Sequence, residues 1–395
     1  MATLTFAEAR AAVLERTHGV APRGVETVAL LEACGRVLAE PILADRDLPP
    51  ADRSIRDGYA VRACDTPGEL RVLGELRAGE DLAFRVGPGE AVEIMTGALM
   101  PEGADAVVMV EHVMRHGDQV RVPVAAQPGD FVHPRGAEAS AGAVLLAPGV
   151  KLGFAELALL AAVGKAEARV YRRPRVAIVP TGDEIVDVGE RPSPWQVRNS
   201  NAWSLAAQVR LAGGEPVVIG VARDNHASST EIIRRGLELD LLLLSGGVSA
   251  GKYDIVESVL ADLGAEFYFD RVLIQPGQPL VFGKARGTCF FGLPGNPAST
   301  MVTFEVLAKA ALERLAGVRE PVLPLALARL TQPFRHKPGL TRFLPARLNG
   351  EGQVTPIGWK GSSDVPALTR GNAFLVADPD RESWEAGELI AVLLR

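Results

Sequence analysis

Cysteine is scarce in this chain. The 395 residues include three cysteines, Cys34, Cys64 and Cys289, which lie far apart. They are too few to build a framework of disulfide bridges, and no Cys-x-x-Cys pair or Cys/His cluster predicts a zinc site. We interpret them as small buried hydrophobic side chains of a protein from a reducing compartment.

Long hydrophobic runs and an excess of positive charge are also absent. No uncharged apolar run reaches the ~18–20 residues that span a membrane. The N-terminal segment lacks the basic start and apolar core of a signal peptide. The formal net charge is -6, which argues against a general affinity for nucleic acid or anionic lipid. We therefore expect a cytoplasmic protein that acts on neither membranes nor nucleic acid.

Several common site motifs are missing as well. The chain has no Walker loop, no Rossmann glycine triplet and no Gly-x-Ser-x-Gly elbow. The four tryptophans do not cluster in sequence, so a base-stacking platform is unsupported. His112 and His116 have a spacing that suits a metal on a helix, but they flank a strand-like run. We interpret them as part of a surface loop.

The hydrophobic pattern predicts a multidomain protein of the α/β plus β class. Helical spacing near residues 3–16 and 152–163 flanks a Gly- and Pro-rich stretch of short alternating strands. We expect 1–45 and 134–172 to form a discontinuous helical/β linker and dimerisation domain, with 46–133 as an inserted β-rich domain. Strands and helices then alternate over 173–318, which predicts a doubly wound α/β domain. Residues 319–395 predict a small C-terminal β-barrel-like domain.

The most informative segment is SGGVSAGKYD, which follows the run Asp240-Leu-Leu-Leu-Leu244, apolar after its first residue. Gly246 and Gly247 let the backbone approach a ligand and turn N–H groups toward it. Ser249 supplies a hydroxyl and Asp254 a carboxylate in the same loop. This combination suits an anion held near a divalent cation. The alternative interpretation is a plain turn between a strand and a helix.

Two further loops follow strands of the α/β region. Asp183 and Glu184 are adjacent carboxylates that can bind a divalent cation, although they also suit an ordinary acidic helix start. The loop from 292 to Pro297 leads into a helix whose first amides can hold an oxyanion, or simply form a cap. Ligands bind outside the carboxyl ends of parallel strands, so the three loops predict one site. Farther along, Ser228-x-x-Glu231 predicts a capping box at the start of a helix.

Five ordered motifs resemble the molybdopterin molybdenumtransferase family, the MoeA-type proteins that include the E domain of gephyrin. The motifs are SIRDGYAV, IMTGALMPEGADAVVMVE, PTGDEI, SGGVSAGKYD and GLPGNPAS, and they span residues 54 to 299. Without this resemblance, the Asp-Gly turn at Asp57 and the strand end at Thr96 are ordinary local structure.

The resemblance implies the last step of molybdenum cofactor synthesis. Adenylylated molybdopterin is bound, its pyrophosphate bond is hydrolysed, molybdate enters the dithiolene as substrate, and AMP leaves. Mg2+ assists as cofactor, because carboxylates alone would repel a pyrophosphate. The resemblance also implies a homodimer whose site lies between the α/β domain of one subunit and the β-rich domain of the other. The upstream adenylyltransferase is a further candidate partner.

The resemblance assigns roles to particular residues. Thr96 and Ser249 are expected to donate hydroxyl hydrogen bonds to phosphate or molybdate, and Glu138 lies where the family usually has an aspartate. The expected catalytic residues are Asp57, Thr96, Glu184 and Asp254, of which Glu184 and Asp254 are the metal ligands. The expected substrate-binding residues are Asp183, Asp224, Gly246, Gly247, Ser249, Gln275, Gln278, Pro294, Pro297, Arg135 and Glu138.

The chain departs from the family at two positions that matter for charge. The family commonly has Lys-Pro-Gly-Lys-Pro where this chain has Gln275 and Gln278. A neutral amide still donates a hydrogen bond, but the charge-assisted contribution is lost. Arg56 and Asn199 also differ from the usual Met and Asp.

Two other functions remain open at this point. The first is a pterin-binding paralogue or scaffold with reduced turnover, which the two glutamines support. The second is a molybdopterin adenylyltransferase. That family typically has Thr-Gly-Gly-Thr-Gly in place of Ser-Gly-Gly-Val-Ser and lacks the inserted β-rich domain, and both features argue against it.

Overall fold

The computed structural model of the chain describes residues 3–80, 84–247 and 255–395. The predictions for Ser249 and Asp254 therefore lie outside the described residues. The chain divides into two compact units. The first contains Met1–Ala39, Pro148–Gly153 and Arg169–Arg395, and the second contains Glu40–Ala147 and Phe154–Ala168.

A seven-stranded sheet forms the centre of the first unit. Its strands follow the spatial order Thr3–Leu4, Glu266–Val272, Pro279–Ala285, Thr288–Leu293, Leu241–Ser245, Arg175–Pro180 and Glu215–Val218. The last four strands are parallel. The chain order reverses beside Arg175–Pro180, which pairs with the strands on both of its sides. In doubly wound sheets the crevice at such a reversal is the usual ligand site.

The sheet is covered on both faces, and the apolar run at 241–244 explains how. Successive side chains of a strand point to opposite faces. Leu241 and Leu243 pack with the helix Ser200–Leu211 in one core. Leu242 and Leu244 pack in a second core with the helices His226–Gly236 and Ile255–Asp262. All four leucines are fully buried. This arrangement confirms the predicted doubly wound α/β domain.

The helix predicted to begin at the Ser228 capping box begins earlier. It spans His226–Gly236, and its N-cap is Asn225, whose side chain accepts a hydrogen bond from the backbone N–H of Ser228. Asn and Ser are comparably good caps, so the sequence offered two starts. The remaining helical segments of this unit are Phe6–Arg16, the 3-10 turn Leu31–Ala33, Pro297–Thr303, the π-helical turn Phe304–Ala308, Lys309–Leu315 and Val365–Arg370.

The C-terminal strands close into a five-stranded barrel, as predicted. The barrel order is Thr341–Leu348, Gln353–Pro356, Leu325–Leu330, Leu389–Leu394 and Ala373–Ala377, which pairs again with the first. The short strand Ile274–Gln275 joins it by pairing in parallel with Thr341 and Arg342. Short two-stranded pairs are Ile185–Val186 with Val197–Arg198 and Phe334–Arg335 with Ser383–Trp384 in this unit, and Val25–Ala29 with Glu167–Tyr171, a strand divided between the two units after Ala168.

The second unit is built on a six-stranded sheet, in agreement with the predicted β-rich insertion. Its core contains Tyr59 and Val61 from one strand and Val120 and Val122 from another, which are alternate positions that face the same side of the sheet. The spatial order is Ala106–Met109, Gly58–Val61, Glu90–Ile94, Gly68–Leu76, Gln119–Val122 and Met114–His116. The other elements are Ile42–Leu43 with Val144–Leu146, Arg53–Ser54 with Val132–His133, the 3-10 turns Ala63–Asp65 and Val110–His112, and the helix Phe154–Ala162.

The N-terminal helix belongs to the first unit. Phe6–Arg16 packs against Lys309–Leu315 and against the strand Glu266–Val272. The finer division into four domains, with boundaries at residues 45, 133, 172 and 318, stays a prediction. Among the described residues, no helix combines the length and apolar character needed to cross a bilayer.

Candidate functional site

A cleft of about 710 Å³ lies at the carboxyl edge of the parallel strands of the first unit. Its wall includes residues that follow each of the three strands Arg175–Pro180, Leu241–Ser245 and Thr288–Leu293. The structure thus brings the three predicted loops together. The wall also contains the segment at 197–201 and two residues of the C-terminal region, Ser363 and Val365. The sequence did not predict these additional contributions.

The glycine pair Gly246 and Gly247 is needed because the loop packs directly on Thr181. Both glycines have positive φ, +97° and +63°. A Cβ on Gly246 would lie 2.9 Å from the Thr181 carbonyl oxygen, and one on Gly247 would lie 2.7 Å from Thr181 Oγ1. The Gly246 N–H donates to the Leu293 carbonyl at 3.0 Å, so this predicted donor is already used. The Gly247 N–H is the better candidate for a ligand.

Asn201 joins two walls of the cleft. Its Nδ2 donates to Ser245 Oγ and to the Gly295 carbonyl, each at 2.8 Å. The carbonyl requires a donor, which fixes the orientation of the amide. Asn201 Oδ1 is buried without a hydrogen-bond partner in the described part of the chain. Asn199, two residues earlier, is the N-cap of the helix Ser200–Leu211 and accepts from the Ala202 N–H.

The helix that follows the third loop begins at Pro297, as predicted, and Pro294 and Pro297 both line the cleft. Pro297 has no N–H, and the Ala298 N–H donates to the Ser362 carbonyl at 2.9 Å. The Pro294 carbonyl accepts from Thr300 Oγ1 at 2.5 Å. Two of the first helix positions are therefore unable to hold an oxyanion, which narrows the predicted role of this helix start.

Three of the predicted acidic site residues, Asp183, Glu184 and Asp224, lie in the described part of the first unit and have different environments. The Asp183 N–H donates to Asp224 Oδ2 at 3.3 Å, and the Asp224 N–H donates to Asp183 Oδ1 at 3.1 Å. These reciprocal bonds connect two loops, so both carboxylates have a structural task. Glu184 lies in the cleft wall, and its carboxylate covers Gly182, where a Cβ would meet Oε2 at 2.3 Å. Glu184 is the carboxylate best placed to meet a ligand or a cation.

The residues that are described include no group of three or more His, Cys, Asp and Glu side chains arranged for a metal ion. Asp254, the second predicted ligand, lies outside them. Mg2+ in proteins is commonly held by one or two carboxylates together with substrate phosphates and water. Glu184, the one carboxylate in the described wall of the cleft, fits that donor set. Because Asp254 is not among the described residues, the metal role of Glu184 and Asp254 stays a prediction.

Gln275 and Gln278 are half-buried, and neither lies in the described wall of the cleft, where Pro279 is their nearest neighbour in sequence. Gln275 stands in register with Arg342 across the short parallel pair. Arg342 Nε is buried and has no hydrogen-bond partner within the described ranges. A cation that the sequence analysis missed therefore stands beside one of the two neutral glutamines.

In the second unit, the structure brings Asp57 and Thr96 together. Asp57 Oδ1 accepts hydrogen bonds from the Thr96 N–H and from Thr96 Oγ1, each at 2.7 Å. These bonds stabilise the carboxylate and hold the pKa of Asp57 below its ordinary value. The Thr96 hydroxyl donates its proton to Asp57, so it faces any other group as an acceptor. This differs from the predicted donor role of Thr96.

Arg135 and Glu138, also in the second unit, lie in one loop but differ in their contacts. Arg135 Nε pairs with Asp47 Oδ2 at 2.6 Å, and its backbone N–H donates to Asp52 Oδ1 at 2.7 Å. A hydrogen bond from the Ala141 N–H and the contact with Arg135 lower the pKa of Asp47. Glu138 is exposed and lies 3.1 Å from His133 Nε2. Both side chains are exposed, and each has a partner, Asp47 for Arg135 and His133 for Glu138.

Three family models match the chain in order. They describe the MoeA N-terminal region (domain I and II) over residues 4–164, a probable molybdopterin binding domain over 177–314, and the MoeA C-terminal region (domain IV) over 327–394. The chain belongs to the MoeA family. The cleft lies largely within the second matched region, and Ser363 and Val365 come from the third.

Individual MoeA-family proteins are similar over nearly the whole chain. The molybdopterin molybdenumtransferase of Bacillus subtilis is 36% identical over 384 residues, covering 93% of this chain and 89% of that protein. The protein of the same name from Haemophilus influenzae is 33% identical over 398 residues, covering 98% of each. The crystal structure of a molybdopterin biosynthesis MoeA protein from Pyrococcus horikoshii matches with a TM-score of 0.81 at 29% identity over 100% of both chains.

The first prediction concerns the contact between the glycine pair and Thr181. Gly247→Ala should lower the free energy of unfolding by about 1–3 kcal/mol, because it combines a positive φ with a Cβ too close to Thr181 Oγ1. The control is Gly295→Ala, whose Cβ would meet Gly246 Cα at an ordinary 3.5 Å. Calorimetric unfolding of both variants measures the difference. Equal shifts in the two variants would contradict the packing argument.

The second prediction concerns the pH dependence given by Asp57. Its folded-state pKa is lowered by Thr96, so its stabilising effect is present above the unfolded aspartate pKa of about 3.9 and is lost as pH falls through the folded-state value. The melting temperature of Asp57→Asn should therefore lie below that of the wild type at neutral pH, and the gap should close in acid. Thr96→Val should show the same trend. A gap that does not change with pH would refute this account.

Proposed function

We propose that the protein is a molybdopterin molybdenumtransferase. In this proposal it binds adenylylated molybdopterin, cleaves the pyrophosphate bond, and inserts molybdenum from molybdate into the dithiolene with release of AMP. The observation that carries the proposal is the position of the cleft, which lies at the strand reversal of the region matched as a probable molybdopterin binding domain. Relatives with this enzyme name match the chain along nearly its entire length.

The cleft has the size and lining that a planar heterocycle with a phosphate tail requires. Its volume of about 710 Å³ falls within the range of small-molecule sites. Apolar side chains such as Ile185, Val197 and Val365 offer surface to a flat ring, while a few polar groups fix its orientation. The Gly247 N–H and the polar groups at 199–201 can serve that second purpose. The site therefore favours recognition by shape, with few directional contacts.

Mg2+ is part of the proposal, with Glu184 and Asp254 as its protein ligands. When bound, it would offset the negative charge of the pyrophosphate oxygens and polarise the bond to be broken. Glu184 would orient the phosphate groups relative to the cleft by holding this cation, because its own carboxylate would otherwise repel them. Asp183 and Asp224 have a supporting role. The hydrogen bonds between them hold the loop from which Glu184 projects.

Asp57 and Thr96 act as a pair in the proposed reaction. The lowered pKa of Asp57 keeps its carboxylate ionised, which makes it a weak general base at neutral pH. An ionised carboxylate is well suited to accept hydrogen bonds from the N–H groups of a pterin, or to contact a cation. Thr96 fixes the direction of Oδ1, so the geometry of the pair is set before a ligand arrives.

A homodimer is the proposed assembly, and the helix Phe154–Ala162 supports it. Its sequence, FAELALLAA, is apolar at every position except Glu156, yet Leu160 is its one fully buried residue. Phe154 is 90% exposed, and Val144 in the same unit is 64% exposed. Apolar side chains that stay exposed on a largely apolar helix favour an interaction surface there, and a second copy of the chain is the proposed partner. The enzyme that supplies the adenylylated substrate is a second proposed partner, and the cytoplasm is the proposed location.

The third prediction tests the reaction and the role of Glu184. Purified protein with adenylylated molybdopterin, Mg2+ and molybdate should release AMP above a control without protein. Glu184→Gln should lower turnover by at least about tenfold and weaken its dependence on Mg2+ concentration, because a neutral amide is a poor Mg2+ ligand. The matched control is Glu190→Gln, which removes an exposed carboxylate outside the cleft wall. Chromatographic quantification of AMP measures all three proteins.

The outcomes separate the enzyme from its alternatives. Absence of AMP with the wild type would reject the enzyme and favour the pterin-binding paralogue. AMP release that does not depend on molybdate would indicate hydrolysis without insertion. Equal turnover in Glu184→Gln and Glu190→Gln would remove Glu184 from the metal site and leave the overall function in place.

The fourth prediction tests the dimer and the sharing of sites. Light scattering should give twice the mass of one chain for the wild type, and Phe154→Glu should shift the population toward monomer. If subunits share sites, Asp57→Asn and Glu184→Gln proteins that are each impaired should recover part of the activity when unfolded and refolded together. Refolding each variant alone is the control. Failure of the mixture to recover activity would reject the shared site.

A further inference from the structure

The described wall of the cleft is nearly neutral. Its charged members within the described ranges are Glu184 and Arg198, which carry opposite charges. Gln275 and Gln278 contribute no charge and do not line this wall. The ligand of the proposed function, on which this inference rests, carries several negative charges on phosphate and molybdate oxygens. Recognition of these oxygens therefore needs a cation that faces the cleft, and Arg198 is the described residue in that position.

Arg198 is held in place by a strand pairing and by a side-chain hydrogen bond. It ends the short strand Val197–Arg198, where it stands in register with Val186. Arg198 Nε donates to the Glu190 carbonyl at 2.9 Å. A guanidinium has five N–H donors, so this bond leaves the four donors of the two terminal nitrogens. The bond to Glu190 anchors one edge of the group.

Arg198 is exposed and has no carboxylate partner within the described ranges. Arg135 pairs with Asp47, and Arg234 pairs with two glutamates. No acidic side chain of the described ranges lies within ion-pair distance of Arg198. Arg198 lines the cleft, is anchored through Nε and keeps its terminal nitrogens available for an anion from outside the chain. The planar fork of the guanidinium matches two oxygens of a tetrahedral oxyanion.

We propose that Arg198 forms an oxyanion subsite of the cleft and supplies the positive charge that Gln275 and Gln278 do not. The bound group is a tetrahedral oxyanion, either the phosphate of the adenylylated substrate or molybdate. Its strand pairs with Ile185–Val186, and the Val197 N–H donates to the Glu184 carbonyl at 2.9 Å, which places the subsite next to Glu184 in the cleft wall. An anion held there is also close to the carboxylate proposed to hold Mg2+.

A purely structural role for Arg198 makes a different prediction. In that case its task is the Nε bond to the Glu190 carbonyl, which keeps the segment between 186 and 197 in place. Lysine retains the charge but cannot form both the carbonyl bond and a two-pronged contact. Glutamine retains hydrogen-bond donors and loses the charge. Comparing the two substitutions separates the effect of charge from the effect of anchoring.

The test measures binding directly by titration calorimetry, without turnover. The probes are AMP, molybdate and adenosine, each added to the wild type, Arg198→Gln, Arg198→Lys and Arg191→Gln. Arg191→Gln is the matched control, since it removes one positive charge from the same exposed segment but outside the cleft wall. Thermal melting confirms that all four proteins are folded.

The expected result is selective. Arg198→Gln should weaken oxyanion binding by about tenfold or more, which is the range for losing a charge-assisted hydrogen bond. Arg198→Lys should lose less, Arg191→Gln should stay within about twofold, and adenosine binding should be unchanged in all variants. Wild-type affinity should fall with added salt, and Arg198→Gln should be less sensitive to it.

The arms of the experiment identify the oxyanion. Loss of AMP binding alone assigns the subsite to phosphate, and loss of molybdate binding alone assigns it to molybdate. The inference is overturned if Arg198→Gln binds both anions like Arg191→Gln, or if the wild type binds neither. A wild type that releases AMP in the turnover assay but shows no Arg198 effect leaves the proposed function standing and rejects only this subsite.

Discussion

The close packing of Gly246 and Gly247 on Thr181 is the contact on which the rest of the cleft depends. It leaves no room for a Cβ on either glycine, so the two loops meet through their backbones. The meeting aligns three strand ends, because the Thr181 N–H donates to the Ser245 carbonyl and the Gly246 N–H donates to the Leu293 carbonyl. Asn201 then spans from Ser245 to Gly295. A side chain at either glycine would push the loop away from Thr181 and disturb these hydrogen bonds.

This arrangement decides which polar groups remain for a ligand. Several motif residues donate hydrogen bonds to, or accept them from, other motif residues. Asp183 and Asp224 hold two loops through reciprocal bonds, and the Thr96 hydroxyl is committed to Asp57. The Gly246 N–H has a carbonyl acceptor. What remains facing the cleft is a short set that includes Glu184 and Arg198. A motif thus marks the neighbourhood of a site, and the hydrogen bonds decide which members can act.

The sequence predicts the fold better than it predicts the contacts within the site. The run at 241–244 identifies a strand buried on both faces because every one of its residues is apolar, and this reasoning needs no distant partner. Asp57 and Thr96 are 39 residues apart in sequence. They meet because Gly58 pairs with Ile94 in antiparallel register, which local patterns do not reveal. The helix start at Asn225 was missed for a more local reason, since two capping residues of similar strength lie close together.

The net charge of the cleft is even harder to predict from a motif, because it depends on which residues line the cleft in the folded chain. Interaction between charges depends on distance and on the local dielectric, so a cation counts by its position in space. Two glutamines in a motif that usually carries lysines suggest a weakened anion site. In the folded chain, Arg342 stands in register with Gln275, and Arg198 lines the cleft from a segment nearly 80 residues away in sequence. Neither arginine belongs to one of the five motifs, so the motifs alone do not give the charge of this region. The neutral glutamines therefore do not by themselves argue for a loss of function.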